Sequence, residues 1–132
     1  MKTVNHEYYV SLEVAKLLKK AGFDWETKNR WDYCKPIDEW SLRNYPEEPR
    51  NWNSKYYNYD CSAPTLEVVQ RWLREVKNVD VFAYRNEPKD KFESIVSVNK
   101  KWSTTGMCIN TYEEALETGI KKALEIILEI GE

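Results

Sequence analysis

Three short stretches carry residue types that could act on a ligand: Arg30-Trp31, Arg50-Asn51-Trp52 and Lys55-Tyr56-Tyr57. Aromatic rings interleaved with cations are what single-stranded nucleic acid requires, since bases stack on the rings while Lys and Arg meet the phosphates. Trp, Tyr and Arg are equally the residues enriched where proteins dock, so the same set, with Trp40, could form a partner surface or a homodimer seam. Carboxylates lie among the rings as well. Asp24, Glu26, Asp32, Asp38 and Glu39 surround Trp25, Trp31 and Trp40, and glycosidases combine paired acids with aromatic walls. Eight acids spread along an irregular stretch produce such neighbours by chance, however, and nothing fixes acid, base and nucleophile together.

Other chemistry finds little footing. The one histidine, His6, precedes the first helical pattern and has no readable Ser or Cys partner. Three cysteines, Cys34, Cys61 and Cys108, lie far apart, with no CxxC or HxxxH spacing for zinc. Their odd number and the absence of a charged-then-apolar leader imply reduced thiols and a cytoplasmic location, with Cys61 and Cys108 read as small buried side chains. Neither a G-x-S-x-G nucleophile turn nor a phosphate-cradling glycine loop occurs. Expected, therefore, is a protein without catalytic signature, metal or cofactor.

The chain bearing these residues has 132 of them, 42% hydrophobic and 32% charged, which suits one domain over residues 1–132. Apolar runs stop at two or three residues, far below the roughly 20 that a bilayer demands, so no membrane span is expected. Twenty basic against twenty-two acidic residues give a net charge of −2. General nucleic-acid binders carry a positive excess, so such a role would need local segregation of charge.

Hydrophobic periodicity predicts helices over 11–22, 63–77 and 111–130. Ser11 is the expected N-cap of the first, and Gly22 with Phe23 its left-handed stop. Pro64 suits the first turn of the second helix, whose stripe is Leu66, Val69, Trp72, Leu73 and Val76, with Glu67, Gln70 and Arg71 outward. Thr111 and Glu114 form a capping box for the third. In that helix Glu117 and Lys121 stand four apart in the favourable order, and small residues at 115, 119 and 123 would let it lie close to a sheet.

Between the second and third helices, alternation predicts strands over 79–85, 92–98 and 102–109, joined by turns at Glu87-Pro88-Lys89-Asp90 and Asn99-Lys100-Lys101. Val79, Val81 and Ala83 would share one face, Phe82 and Tyr84 the other. Residues 24–60 contrast with this order. They hold nine aromatics, eight acids and six bases but only two aliphatics, Ile37 and Leu42. Pro36, Pro46 and Pro49 interrupt any long element, so an ordered but irregular wrap is expected, its rings mostly laid on the core. The architecture thus reads as α+β: an antiparallel sheet of three or four strands packed by two or three helices, in the order α, aromatic wrap, α-β-β-β-α, with no internal repeat.

Three segments carry a resemblance: Tyr9-Val10-Ser11-Leu12-Glu13-Val14-Ala15 through Ala21-Gly22-Phe23, Ala63-Pro64-Thr65 leading to Arg71-Trp72-Leu73-Arg74-Glu75-Val76, and Tyr112-Glu113-Glu114-Ala115-Leu116. Together they resemble a group of small uncharacterised proteins of phages, prophages and other mobile elements of gut bacteria. That resemblance covers about half the chain and implies a genomic setting but no reaction. The order helix–strand–strand–strand–helix is also similar to a double-stranded-RNA-binding domain. Thr111-Tyr112-Glu113-Glu114 stands where that family presents lysines to phosphate, which limits the likeness to topology. Ser11-Leu12-Glu13-Val14-Ala15 resembles the opening of an excisionase-type helix-turn-helix, but more than forty residues precede the next helix, against a usual 3–4. Composition and pattern together lead to a non-enzymatic accessory protein acting by protein association, with single-stranded nucleic-acid binding by residues 25–59 as the alternative.

Overall fold

The computed structural model describes residues 8–44 and 48–130. His6, Tyr45 and Pro46 lie outside them. The α1 helix spans Leu12–Lys20, with the Ser11 hydroxyl accepting from the Val14 N–H at 3.3 Å. It ends as expected. Gly22, at φ 90°, donates to the Lys19 carbonyl and Phe23 to that of Leu18, the paired bonds of a Schellman stop.

The stretch expected to be irregular contains a sheet. Strands β1 (Asn29–Cys34) and β2 (Glu39–Asn44) form a hairpin, and β3 (Asp60–Ser62) pairs with the other edge of β1. Pro36 does not interrupt a strand because it sits in the connection, where no ladder hydrogen bond is needed. A second antiparallel sheet contains β4 (Val79–Asn86), β5 (Lys91–Val98) and β6 (Lys101–Thr104) in that order. Its last strand is shorter than the alternation implied. After Thr104 the chain bends through Gly106, at φ 72°, and returns so that Ile109 exchanges both backbone hydrogen bonds with Phe92.

The two hairpins are built alike. Lys35-Pro36-Ile37-Asp38 and Glu87-Pro88-Lys89-Asp90 each make one 3-10 turn closed by a left-handed Asp, at φ 50° and 49°. Asp tolerates that conformation because its short side chain finds local partners. Asp38 accepts from the Tyr33 hydroxyl at 2.6 Å and Asp90 from Arg85 at 2.9 Å. Each hairpin follows a helix opening Ser/Thr-Leu-Glu-Val. In α2 (Leu66–Val76) the cap is Thr65, whose hydroxyl accepts from Val68 at 3.3 Å. Pro64 therefore precedes the cap instead of entering the first turn, and its carbonyl accepts from Val10 at 3.0 Å.

Helix α3 (Tyr112–Ile130) lies across β4 and β5, burying Val81, Ser94 and Val96 beneath Leu116, Gly119, Ile120 and Ala123. Glu117 and Lys121 do not pair with each other. Glu117 accepts from the Ser11 N–H at 3.1 Å and Lys121 meets Glu13 at 2.7 Å, so both tie α3 to the start of α1. Gln70 also turns inward, its amide donating to the Val81 carbonyl at 2.7 Å. One core runs through both halves of the chain, joining Val14 and Leu18 of α1, Cys61 of β3, Trp72 and Leu73 of α2, and Ile120 and Leu124 of α3.

Candidate functional site

The aromatic segment divides between the two faces of the first sheet. Strand alternation puts Trp31, Tyr33, Trp40 and Leu42 on one side and Arg30, Asp32, Ser41 and Arg43 on the other. Trp31 packs against the core and its indole N–H donates to the Val10 carbonyl at 3.1 Å. Trp40 leans on Tyr33, ring centres 5.1 Å apart, and the Lys16 ammonium lies 5.0 Å from its centroid.

Residues 48–59 fold over the opposite side. Trp52 is only 3% exposed, its indole N–H donating to the Thr27 carbonyl at 2.6 Å. The Arg30 guanidinium lies 4.0 Å from the Trp52 ring centre, Tyr57 meets that ring edge-on at 4.8 Å, and Arg50 donates to the Tyr57 hydroxyl at 3.1 Å. Asn53 completes the seam, donating to the Phe23 carbonyl and accepting from the Ser62 N–H, each at 2.9 Å. Arg30, Trp52, Tyr57 and Arg50 are therefore brought together and contact one another. Lys55 and Tyr56 stand apart in solvent, Tyr56 at 94% exposure. Tyr56 and Tyr59 are the exposed rings of this segment, Tyr59 at 62%.

Beside Arg30, the register sets Asp32 of β1 directly opposite Asp60 of β3, and their carboxyl groups share a hydrogen bond. Burial, then the hydrogen bond and charge of Asp32, push the Asp60 carboxyl up to about 6, against the pull of Arg30 and Lys19. Arg43 pairs with Asp32 at 3.1 Å and Arg30 with Asp60 at 3.6 Å. Glycoside hydrolysis needs carboxyls about 5–9.5 Å apart, with sugar or water between them. Two in hydrogen-bond contact leave no such gap. The larger grooves lie elsewhere: about 500 Å³ bounded by Tyr8, Glu67 and Tyr112, and about 420 Å³ bounded by Leu12, Lys16 and Glu125.

Cys61 is buried, which raises its thiol pKa, and Cys108 is half-buried with its thiol 3.1 Å from Glu93. Glu93 also accepts from the Tyr84 hydroxyl at 2.7 Å. Hydrogen bonding to that carboxylate raises both Tyr84 and Cys108, while the same bonds hold Glu93 below its ordinary value. Among the described residues there is no group of three His, Cys, Asp or Glu placed for a metal, and no helix long and apolar enough to cross a membrane.

The outer face of the second sheet carries exposed apolar surface. Helices cover the Val79, Val81, Ser94 and Val96 face, while Phe82, Tyr84, Ile95 and Trp102 occupy the other. Phe82 is 44% and Trp102 55% exposed, and their rings stack across the sheet with centres 6.1 Å apart and planes 21° from parallel. Sequence alternation had already separated Phe82 and Tyr84 from the valines. Because helices cover one face only, these residues remain in solvent on the other. Comparison of the chain with protein-family models, curated proteins and solved structures gives no match.

Proposed function

We propose that the chain is a non-enzymatic accessory protein that acts by protein association, and that it docks through the outer face of the β4–β5–β6 sheet. The stacked Phe82–Trp102 pair, held in water with Tyr84 and Ile95 beside it, carries this reading. Uncovered aromatics clustered on a rigid sheet supply large contact area at little conformational cost, the usual makeup of an interface centre. Charge favours a protein over a nucleic acid there. Asp80 and Glu93 share the face with Lys91, whose ammonium is engaged by Asn110 at 2.9 Å.

Phe82→Ser with Trp102→Ser tests this. Exposed positions away from the core shift stability by about 0.5 kcal/mol or less, so the variant should fold as the parent does. Saturable capture of a protein partner by the immobilised parent is expected to weaken at least about tenfold, as for interface centres, and Tyr56→Ser should leave it unchanged. Sedimentation of the chain over a concentration series separates a second copy from a foreign partner. Salt-sensitive binding of a labelled oligonucleotide, lost in the same double variant, would overturn the reading in favour of nucleic-acid stacking.

A further inference from the structure

We infer that the Asp32–Asp60 pair is a proton-operated latch that ties β3, and the Trp52 segment before it, onto the first sheet. Two carboxyl groups can share a hydrogen bond only when one of them holds a proton, so a bound proton is itself a structural link between β1 and β3. The strand register presents the two side chains directly to each other, and the Asp60 side chain is largely shielded from water.

The surrounding charges are arranged so that losing this proton has a mechanical consequence. From β1, Arg30 serves two groups at once, the Asp60 carboxylate at 3.6 Å and the Trp52 ring at 4.0 Å. From β2, Arg43 is committed to Asp32 at 3.1 Å. From α1, Lys19 points at the backbone of the same turn, donating to the carbonyls of Tyr57 and Asn58 at 3.4 Å and of Asp60 at 2.7 Å. From the covering segment, Arg50 and Tyr57 hold each other.

With the proton present, Asp60 is neutral, bonded to Asp32, and leaves the guanidinium on the indole. Without it, two like charges face each other across adjacent strands, and the ionised Asp60 draws Arg30 away from Trp52. The covering segment is then held without Arg30, by its backbone bonds, Asn53, the Trp52 N–H on the Thr27 carbonyl and Lys19. The folded pair retains its proton up to about pH 6, whereas an unfolded Asp loses it near its ordinary 3.8. The folded state therefore binds more protons than the unfolded state between those values, and the stabilisation is progressively lost as pH rises across that window.

Nuclear magnetic resonance of the full chain between pH 4 and pH 8 reads the latch. The Asp60 carboxyl carbon and the Trp52 indole N–H are expected to titrate with one midpoint near 6. Asp32→Asn should carry both midpoints down, with burial still holding the Asp60 carboxyl above its ordinary value. If Asp32→Asn does not fold, Arg43→Gln keeps both acids and removes the counter-charge of Asp32, and it should move the midpoint up. An Asp60 that titrates in the ordinary range in the parent would overturn the latch. So would a Trp52 signal that fails to follow Asp60, or a midpoint unmoved by the substitutions.

Discussion

Trp52→Ala is expected to lower the free energy of unfolding by about 3–5 kcal/mol, the range for truncating a buried aromatic ring. The ring lies between the Arg30 guanidinium and the edge of Tyr57, and its N–H satisfies the Thr27 carbonyl. Removing it leaves a void, a Thr27 carbonyl that keeps only its bond from the Arg50 N–H, and an arginine without its covering partner. Urea denaturation read by circular dichroism measures the loss. Tyr56→Ala, four residues along in the same aromatic stretch, should change stability by less than about 0.5 kcal/mol because that ring lies in water. A Trp52 variant as stable as the Tyr56 variant would mean that the segment does not cover the first sheet.

Gly119→Val is expected to have the other large effect. A Cβ at Gly119 would come within 2.8 Å of both the Ser94 Cβ and a Val81 methyl, so α3 touches the sheet there with no space for even one carbon. Two of those neighbours lie on strands, held by the β4–β5 ladder, and neither atom is the end of a flexible chain. A branched side chain forces the helix off the buried face, at a cost above the roughly 1–3 kcal/mol of ordinary overpacking. Gly119→Ala is the sharper comparison. In a helix interior Ala gains about 1 kcal/mol over Gly, so a net loss of stability on that substitution would isolate the steric term. Thermal unfolding of both variants gives the answer, and a Gly119→Ala protein more stable than the parent would contradict the close approach.

Legibility in the sequence followed the kind of signal available. The helices were readable because their stripes, caps and stops are local: Ser11, Gly22 with Phe23, and Thr111 act within one turn of where they stand. Positions 115, 119 and 123 foretold the close packing of α3 for the same reason. The first sheet was not readable, because β1 and β2 carry Arg-Trp-Asp-Tyr and Trp-Ser-Leu-Arg, aromatic on one side and charged on the other, with scarcely an aliphatic to mark the alternation. Its connection contains Pro36, which reads as a breaker until the turn is set beside Glu87-Pro88-Lys89-Asp90. Pairing Asp32 with Asp60 depends on a strand joined across a long loop, a separation that no local pattern encodes. Phe82 and Trp102 meet through a register two strands wide, equally invisible along the chain. Trp52 covers the first sheet, while Phe82 and Trp102 are exposed rings on the second.

The division of the indoles between interior and water can be measured directly. A soluble paramagnetic agent broadens each of the six Trp side-chain resonances according to its solvent contact. The fold requires strong broadening of Trp102 and near-complete protection of Trp52 and Trp72. A Trp52 resonance broadened as strongly as that of Trp102, or a protected Trp102, would contradict both the covered first sheet and the proposed docking face.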